Sequence, residues 1–103
     1  MKVLLFVSSH CSHCPSAERI VKKIVPEYSS YGVTFEKIRI KTKRGKELSS
    51  KFNIMATPTI LILNESGDEA KRIVGTPGEN SLRRGIEKEL GLRKSFFDRI
   101  FGR

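Results

Sequence analysis

The sequence predicts an α/β domain: a central four-stranded mixed sheet with elements in the order β-α-β-α-β-β-α, followed by a helical tail. Three observations predict it. "KVLLFV" at 2–7 and "TILIL" at 59–63 are short apolar runs of the length and composition of buried strands. Between them, from Cys11 to about Val25, apolar residues recur at helical spacing. "NESGD" at 64–68 then separates two strand-like runs as a hairpin turn.

Taken in order, the first strand is broken by Ser8 and Ser9. In the helix that follows, Ala17, Ile20, Val21, Ile24 and Val25 make one apolar stripe. Pro15 fits only near its start, where backbone N–H groups have no helical partner, so Cys11 falls at or just before the N-terminus. Pro26 should kink or end the helix, and Tyr31-Gly32 closes the segment. The run 33–40, "VTFEKIRI", alternates as a second strand with Val33, Phe35, Ile38 and Ile40 facing inward. A helical crossover requires it to be parallel to the first, with a right-handed connection. Residues 41–46 read as a basic loop, and 47–53 as a short helix carrying Leu48 and Phe52. Pro58 opens the third strand, and "EAKRIV" at 69–74 forms the fourth, antiparallel to it. Asn80 or Ser81 can cap a last helix burying Leu82, Ile86 and Leu90, with Gly91 as its stop.

The 103 residues suit one domain, 1–91, with a tail at 92–103. Two cysteines are too few for a secreted disulfide scaffold. The apolar run 3–7 is too short for a signal-peptide core, so we expect a cytoplasmic protein. The net charge is +9, concentrated at 36–51 and in the tail. It can mark an anionic partner or a solvated basic surface. The run at 36–51 has no interleaved aromatics to stack on bases, so no nucleic acid is expected.

The stretch "SSHCSHCPSAERIV" at 8–21 holds both cysteines, in a Cys-x-x-Cys spacing between strand and helix. Thiol–disulfide exchange needs one accessible thiolate and a second thiol within reach. Unpaired N–H groups and the helix dipole favour a thiolate at Cys11, and Cys14 lies one turn along the same face. Cys11 is therefore the expected attacking thiol and Cys14 the more buried resolving thiol. His10 and His13 read either as exposed polar residues or as modulators of the thiolate. A donor or cationic imidazole at His13 would stabilise the reduced form. That would move the potential from about −270 mV, a strongly reducing value, toward about −200 mV. In "MATPT", Pro58 is either a turn residue or a cis proline that lays the Thr57 backbone beside the cysteines for an extended substrate.

"FVSSHCSHCPSAERIV", "FNIMATPTILIL" and "IVGTPG" together resemble the thioredoxin family, most of all its small archaeal thioredoxin and glutaredoxin-like members. The resemblance spans about residues 2–91 and implies a thioredoxin-like fold and a protein-disulfide oxidoreductase. It implies Cys11 as nucleophile, Cys14 as resolving thiol and Pro58 as the cis proline. Thr57, Gly75 and Thr76 would line the substrate groove. It further implies disulfide-containing proteins as substrates, a separate reductase of the thioredoxin-reductase type and no cofactor. Three departures stand out. His10 replaces the aromatic before the first cysteine, and Ser12-His13 replaces Gly-Pro between the pair. Leu5 stands where the family buries a proton-relaying aspartate, which leaves Lys37, His13 or water to serve Cys14. The long acidic glutathione loop of glutaredoxins has no counterpart in "GTPGEN", which argues against glutathione.

Two other classes of function fit parts of the chain. His10, Cys11, His13 and Cys14 are metal-ligand types, but five residues cannot readily surround one tetrahedral ion, so a metal or iron–sulfur cluster would need two chains. The tail "LRKSFFDRIFGR" groups Phe96, Phe97, Ile100 and Phe101 on one helical face. It could pack on the core, self-associate or lie on an anionic membrane, serving a redox-inactive adaptor.

Overall fold

A computed structural model describes residues 1–91; the expected tail, with its phenylalanines, lies outside the described residues. β1 (Lys2–Val7) occupies an interior position in a four-stranded sheet of order β2-β1-β3-β4. β2 (Thr34–Arg39) runs parallel to it, β3 (Thr59–Leu63) antiparallel to it, and β4 (Glu69–Val74) antiparallel to β3. The sheet is mixed, as the order of elements requires.

The unbroken apolar runs of β1 and β3 have a direct cause: both strands are covered on both faces. Val3, Leu5, Ile60 and Ile62 point into one core with Ala17, Val21, Ile24, Leu82 and Ile86. Leu4, Phe6, Leu61 and Leu63 point into a second core closed by Leu48, Phe52 and Ile54. The four apolar residues expected to face inward from the second strand are divided between these cores. Val33 and Phe35 join the first, while Ile38 and Ile40 join the second. "Inward" therefore has two directions here, and Lys37, two residues from Phe35, shares the first of them.

Three boundaries move. α1 is Cys14–Ile24, so the helix begins at the second cysteine, with His13 at its N-cap and Cys11 in the turn before it. A 3-10 segment, Val25–Tyr31, follows at Pro26 and ends on Gly32, whose φ of 83° puts it in the left-handed region. α2 is Lys43–Lys51, beginning inside the stretch expected to be a basic loop. Thr42 is its cap: the side-chain hydroxyl accepts from the Gly45 N–H at 2.9 Å, satisfying one of the unpaired donors of the first turn. α3 is Glu79–Leu90, capped by Gly78 rather than by Asn80 or Ser81, and Gly91 stops it with a φ of 78°. Asn80 instead accepts from the Arg83 guanidinium through its side-chain oxygen.

Candidate active site

The end of β1, the turn 8–13 and the first turn of α1 form one wall of the site. Cys11 and Cys14 are joined in a disulfide, with Cα atoms 5.4 Å apart, inside the range such a bond spans without moving the backbone. The Cys14 N–H points toward the Cys11 carbonyl at 3.4 Å, and the Ala17 N–H donates to the His13 carbonyl. Cys14 is 5% exposed and belongs to the first core, whereas Cys11 is only partly buried at its edge. The two sulfurs thus differ in access, and the asymmetry follows from position: Cys14 is on the buried stripe with Ala17 and Val21, while Cys11 precedes the helix.

The loop before β3 is joined to the cysteine turn by a hydrogen bond. The Thr57–Pro58 bond is cis. Ser8 Oγ and Thr57 Oγ1 are 2.9 Å apart, which ties the cysteine turn to this loop. The Gly75 N–H donates to the Pro58 carbonyl at 2.9 Å, and Gly75 has a φ of 93° that disfavours any side chain there. The Ser8–Thr57 and Gly75–Pro58 hydrogen bonds, joined through the Thr57–Pro58 peptide bond, tie the turn before Cys11 to the end of β4. Thr76 is exposed on the far side of Gly75.

A cavity of about 470 Å³ opens beside the disulfide, walled among others by Cys11, Cys14, Pro15, Glu18, Lys37 and Arg39. Pro15 and Lys37 line this cavity together with both cysteines; His10 and His13 are exposed and are not among its lining residues. Glu18 was not anticipated, although its position four residues after Cys14 on a helix puts both on one face. Its carboxylate receives Lys22 Nζ at 2.7 Å and Lys37 Nζ at 3.3 Å. The Lys22 hydrogen bond is the largest effect on Glu18; burial opposes it, and the Lys37 hydrogen bond with the charges of both lysines helps hold the carboxyl below the ordinary carboxylate range. Leu5, at the family's aspartate position, is fully buried and offers no proton. Among the described residues, no three His, Cys, Asp or Glu side chains come together to hold a metal ion. No helix among them is long and apolar enough to cross a membrane.

The comparisons with known proteins agree with this geometry. The thioredoxin family model matches residues 1–88. The chain is 34% identical over 90 residues to the thioredoxin of Methanocaldococcus jannaschii, covering 87% of this chain and 96% of that one. It is 33% identical over 87 residues to a probable thioredoxin of Archaeoglobus fulgidus, covering 84% and 87% respectively. The fold superimposes on thioredoxin 1 of Thermosipho africanus with a TM-score of 0.71 at 20% identity, over 91% of this chain and 99% of that one. A dithiol-spaced cysteine pair at a strand-to-helix junction, on this fold and with these relatives, leads to one conclusion: the chain belongs to the thioredoxin family of protein-disulfide oxidoreductases.

Proposed function

We propose that Cys11 is the nucleophile and Cys14 the resolving thiol in the reduction of disulfides presented by extended protein segments. The observation that carries this reading is the pairing of a more accessible Cys11 with a core-buried Cys14, in a turn that Ser8 ties to Thr57 by a hydrogen bond. In the reduced protein, the Cys11 thiolate attacks one sulfur of the substrate disulfide. A new S–S bond forms to Cys11, and the other substrate sulfur leaves as a thiolate and takes up a proton. Cys14 then loses its proton and attacks Cys11 Sγ. The second substrate sulfur departs, and the protein is left with its Cys11–Cys14 disulfide. Two electrons and two protons have passed to the substrate.

Each remaining residue has a part. Thr57 and Pro58 would receive the substrate backbone, with Gly75 and Thr76 at the margin of the groove. Among the described residues that wall the cavity, Glu18 is the one carboxylate available to a proton leaving Cys14, and Lys37 holds it in place. His13, at the helix start, would stabilise the Cys11 thiolate from its exposed side; His10, further out, would act more weakly. A separate reductase of the thioredoxin-reductase type would restore the dithiol. A dithiol that must return to its reduced form belongs in the cytoplasm, where reducing systems maintain thiols.

The test is a trap. Cys14→Ser removes the resolving thiol, so a disulfide-bonded polypeptide should remain covalently attached through Cys11, visible as a mass increase that a reductant reverses. Cys11→Ser should trap none. Equal trapping by both variants would reverse or abolish the assignment.

A further inference from the structure

The redox cavity does not end at the disulfide. A second cavity, of about 390 Å³, shares Ile40 with it and extends to Lys46, Met55 and Thr57. The two together make a strip that begins at the cysteines and passes the Thr57–Pro58 loop. Its apolar feature is Met55, 84% exposed and the most exposed large hydrophobic among the described residues. An unbranched thioether in that position adapts to varied apolar surfaces, whereas a well-covered core site would not leave it in water.

The strip is edged by positive charge. Arg39 ends β2, Lys41 lies in the turn after it, and Lys46 is on α2; all three are exposed. None has an ion-pair partner among the described residues, while the neighbouring Lys37 and Arg44 are held by Glu18 and Glu36. Among the described residues, Glu18 is the only carboxylate in either wall, and Lys22 and Lys37 already occupy it. Glu47, beside Lys46, acts on Arg44. Lys71, Arg84 and Lys88 line another cavity with Gly85 and have no ion-pair partner among the described residues, but none of its described lining residues is a cysteine. Uncompensated charge and a reactive disulfide coincide on the Ile40 strip. Fixed charges of one sign along a groove steer oppositely charged partners and repel like ones.

We propose that this strip recognises acidic, disulfide-bearing protein segments, with Arg39, Lys41 and Lys46 as specificity-determining residues. The inference rests on the proposed dithiol reaction and adds the class of substrate that the site selects. The bonds made and broken are those given above; the charges act on encounter and docking, before the sulfurs meet.

Two synthetic peptides with one intramolecular disulfide, identical except that residues flanking the cysteines are Asp and Glu in one and Lys in the other, provide the test. Pre-reduced protein is mixed with each in single turnover. Uncharged 2-hydroxyethyl disulfide serves as the third substrate. The acidic peptide should react about tenfold faster or more at about 10 mM salt, where charges act over about 30 Å. The ratio should fall toward one near about 1 M salt, where the range is about 3 Å. It should also fall toward one in the R39S/K41S/K46S protein, and in R39S/K41S to a lesser degree. Equal rates for both peptides at low salt, alongside normal exchange with the uncharged disulfide, would overturn the recognition proposal and leave the dithiol reaction standing. A preference that survives in the triple variant would overturn it too. Failure to exchange with any of the three disulfides would bring down the dithiol reading itself, and this inference with it.

Discussion

Cys14 owes its burial to a helical stripe, and Cys11 owes its access to the turn before it; the chemistry follows from that difference. We propose that two neighbours, His13 and Glu18, tune it in opposite directions. His13 sits at the N-cap of α1, and a donor or cationic imidazole there favours the thiolate and so the reduced form. His13→Ala should therefore make the couple more reducing. Glu18 places a negative charge in the wall of the cavity that the cysteines line, and Glu18→Gln should make the couple less reducing, by up to about 1 kcal/mol for a partly solvated charge. Equilibration of both variants against thiol–disulfide buffers checks the two signs; movement in the same direction would refute this electrostatic account. The cysteine pair and the Thr57–Pro58 loop are legible in the chain because spacing and proline chemistry mark them. Glu18 is not, because a glutamate among lysines on an amphipathic helix reads as solvated until Lys37 arrives from the neighbouring strand.

At the level of elements, strands were read more accurately than helix starts. β3 and β4 are where the apolar run and the "NESGD" turn put them: Asn64 Oδ1 accepts from the N–H groups of Ser66 and Asp68, and Gly67 has a φ of 83°. "KTKRGK" is charged and contains a glycine, both signs of a loop, so the sequence predicts α2 from 47 whereas it begins at Lys43. The structure explains the glycine by close packing. A Cβ at Gly45 would lie 1.8 Å from the Arg39 carbonyl oxygen, and backbone there cannot move aside. Gly45→Ala should cost about 3 kcal/mol in a urea melt, overriding the helix preference for alanine. Gly85 looks similar in sequence and differs in surroundings: its Cβ would meet the flexible end of Lys71 at 2.8 Å and Ile62 Cδ1 at 3.2 Å. Gly85→Ala should change stability by less than about 1 kcal/mol. Equal losses at the two positions would contradict the packing explanation.

Across the whole molecule, ion pairs join elements distant in sequence. Glu18 and Lys37 link α1 to β2, Glu36 and Arg44 link β2 to α2, and Glu27 and Arg83 link the 3-10 segment to α3. Hydrogen bonds from Lys22, Arg44 and Arg83, respectively, are the main reason Glu18, Glu36 and Glu27 are all lowered from the ordinary value of 4.5. A carboxylate with a lowered folded value binds fewer protons than in the unfolded chain. Its contribution is complete above the unfolded value and is lost as pH falls through the folded one. Tm should thus be nearly flat from about pH 8 to 6 and fall below about pH 4. A Tm that rises on acidification would contradict this. None of these partners could be assigned from sequence, since each depends on how the sheet faces were distributed. That distribution was itself only half legible, because two covered faces and one covered face give similar apolar runs in β2.

The central claim is that Cys11 and Cys14 form one reversible two-electron couple. A redox titration of the purified chain tests it most directly: equilibration in thiol–disulfide buffers of known potential, alkylation of free thiols and a mass readout. Both thiols should disappear together, with a single midpoint and no singly alkylated species accumulating. Two cysteines that stay alkylatable across the range, or that become alkylatable only after a chelator is added, would contradict the dithiol couple and favour a metal site instead.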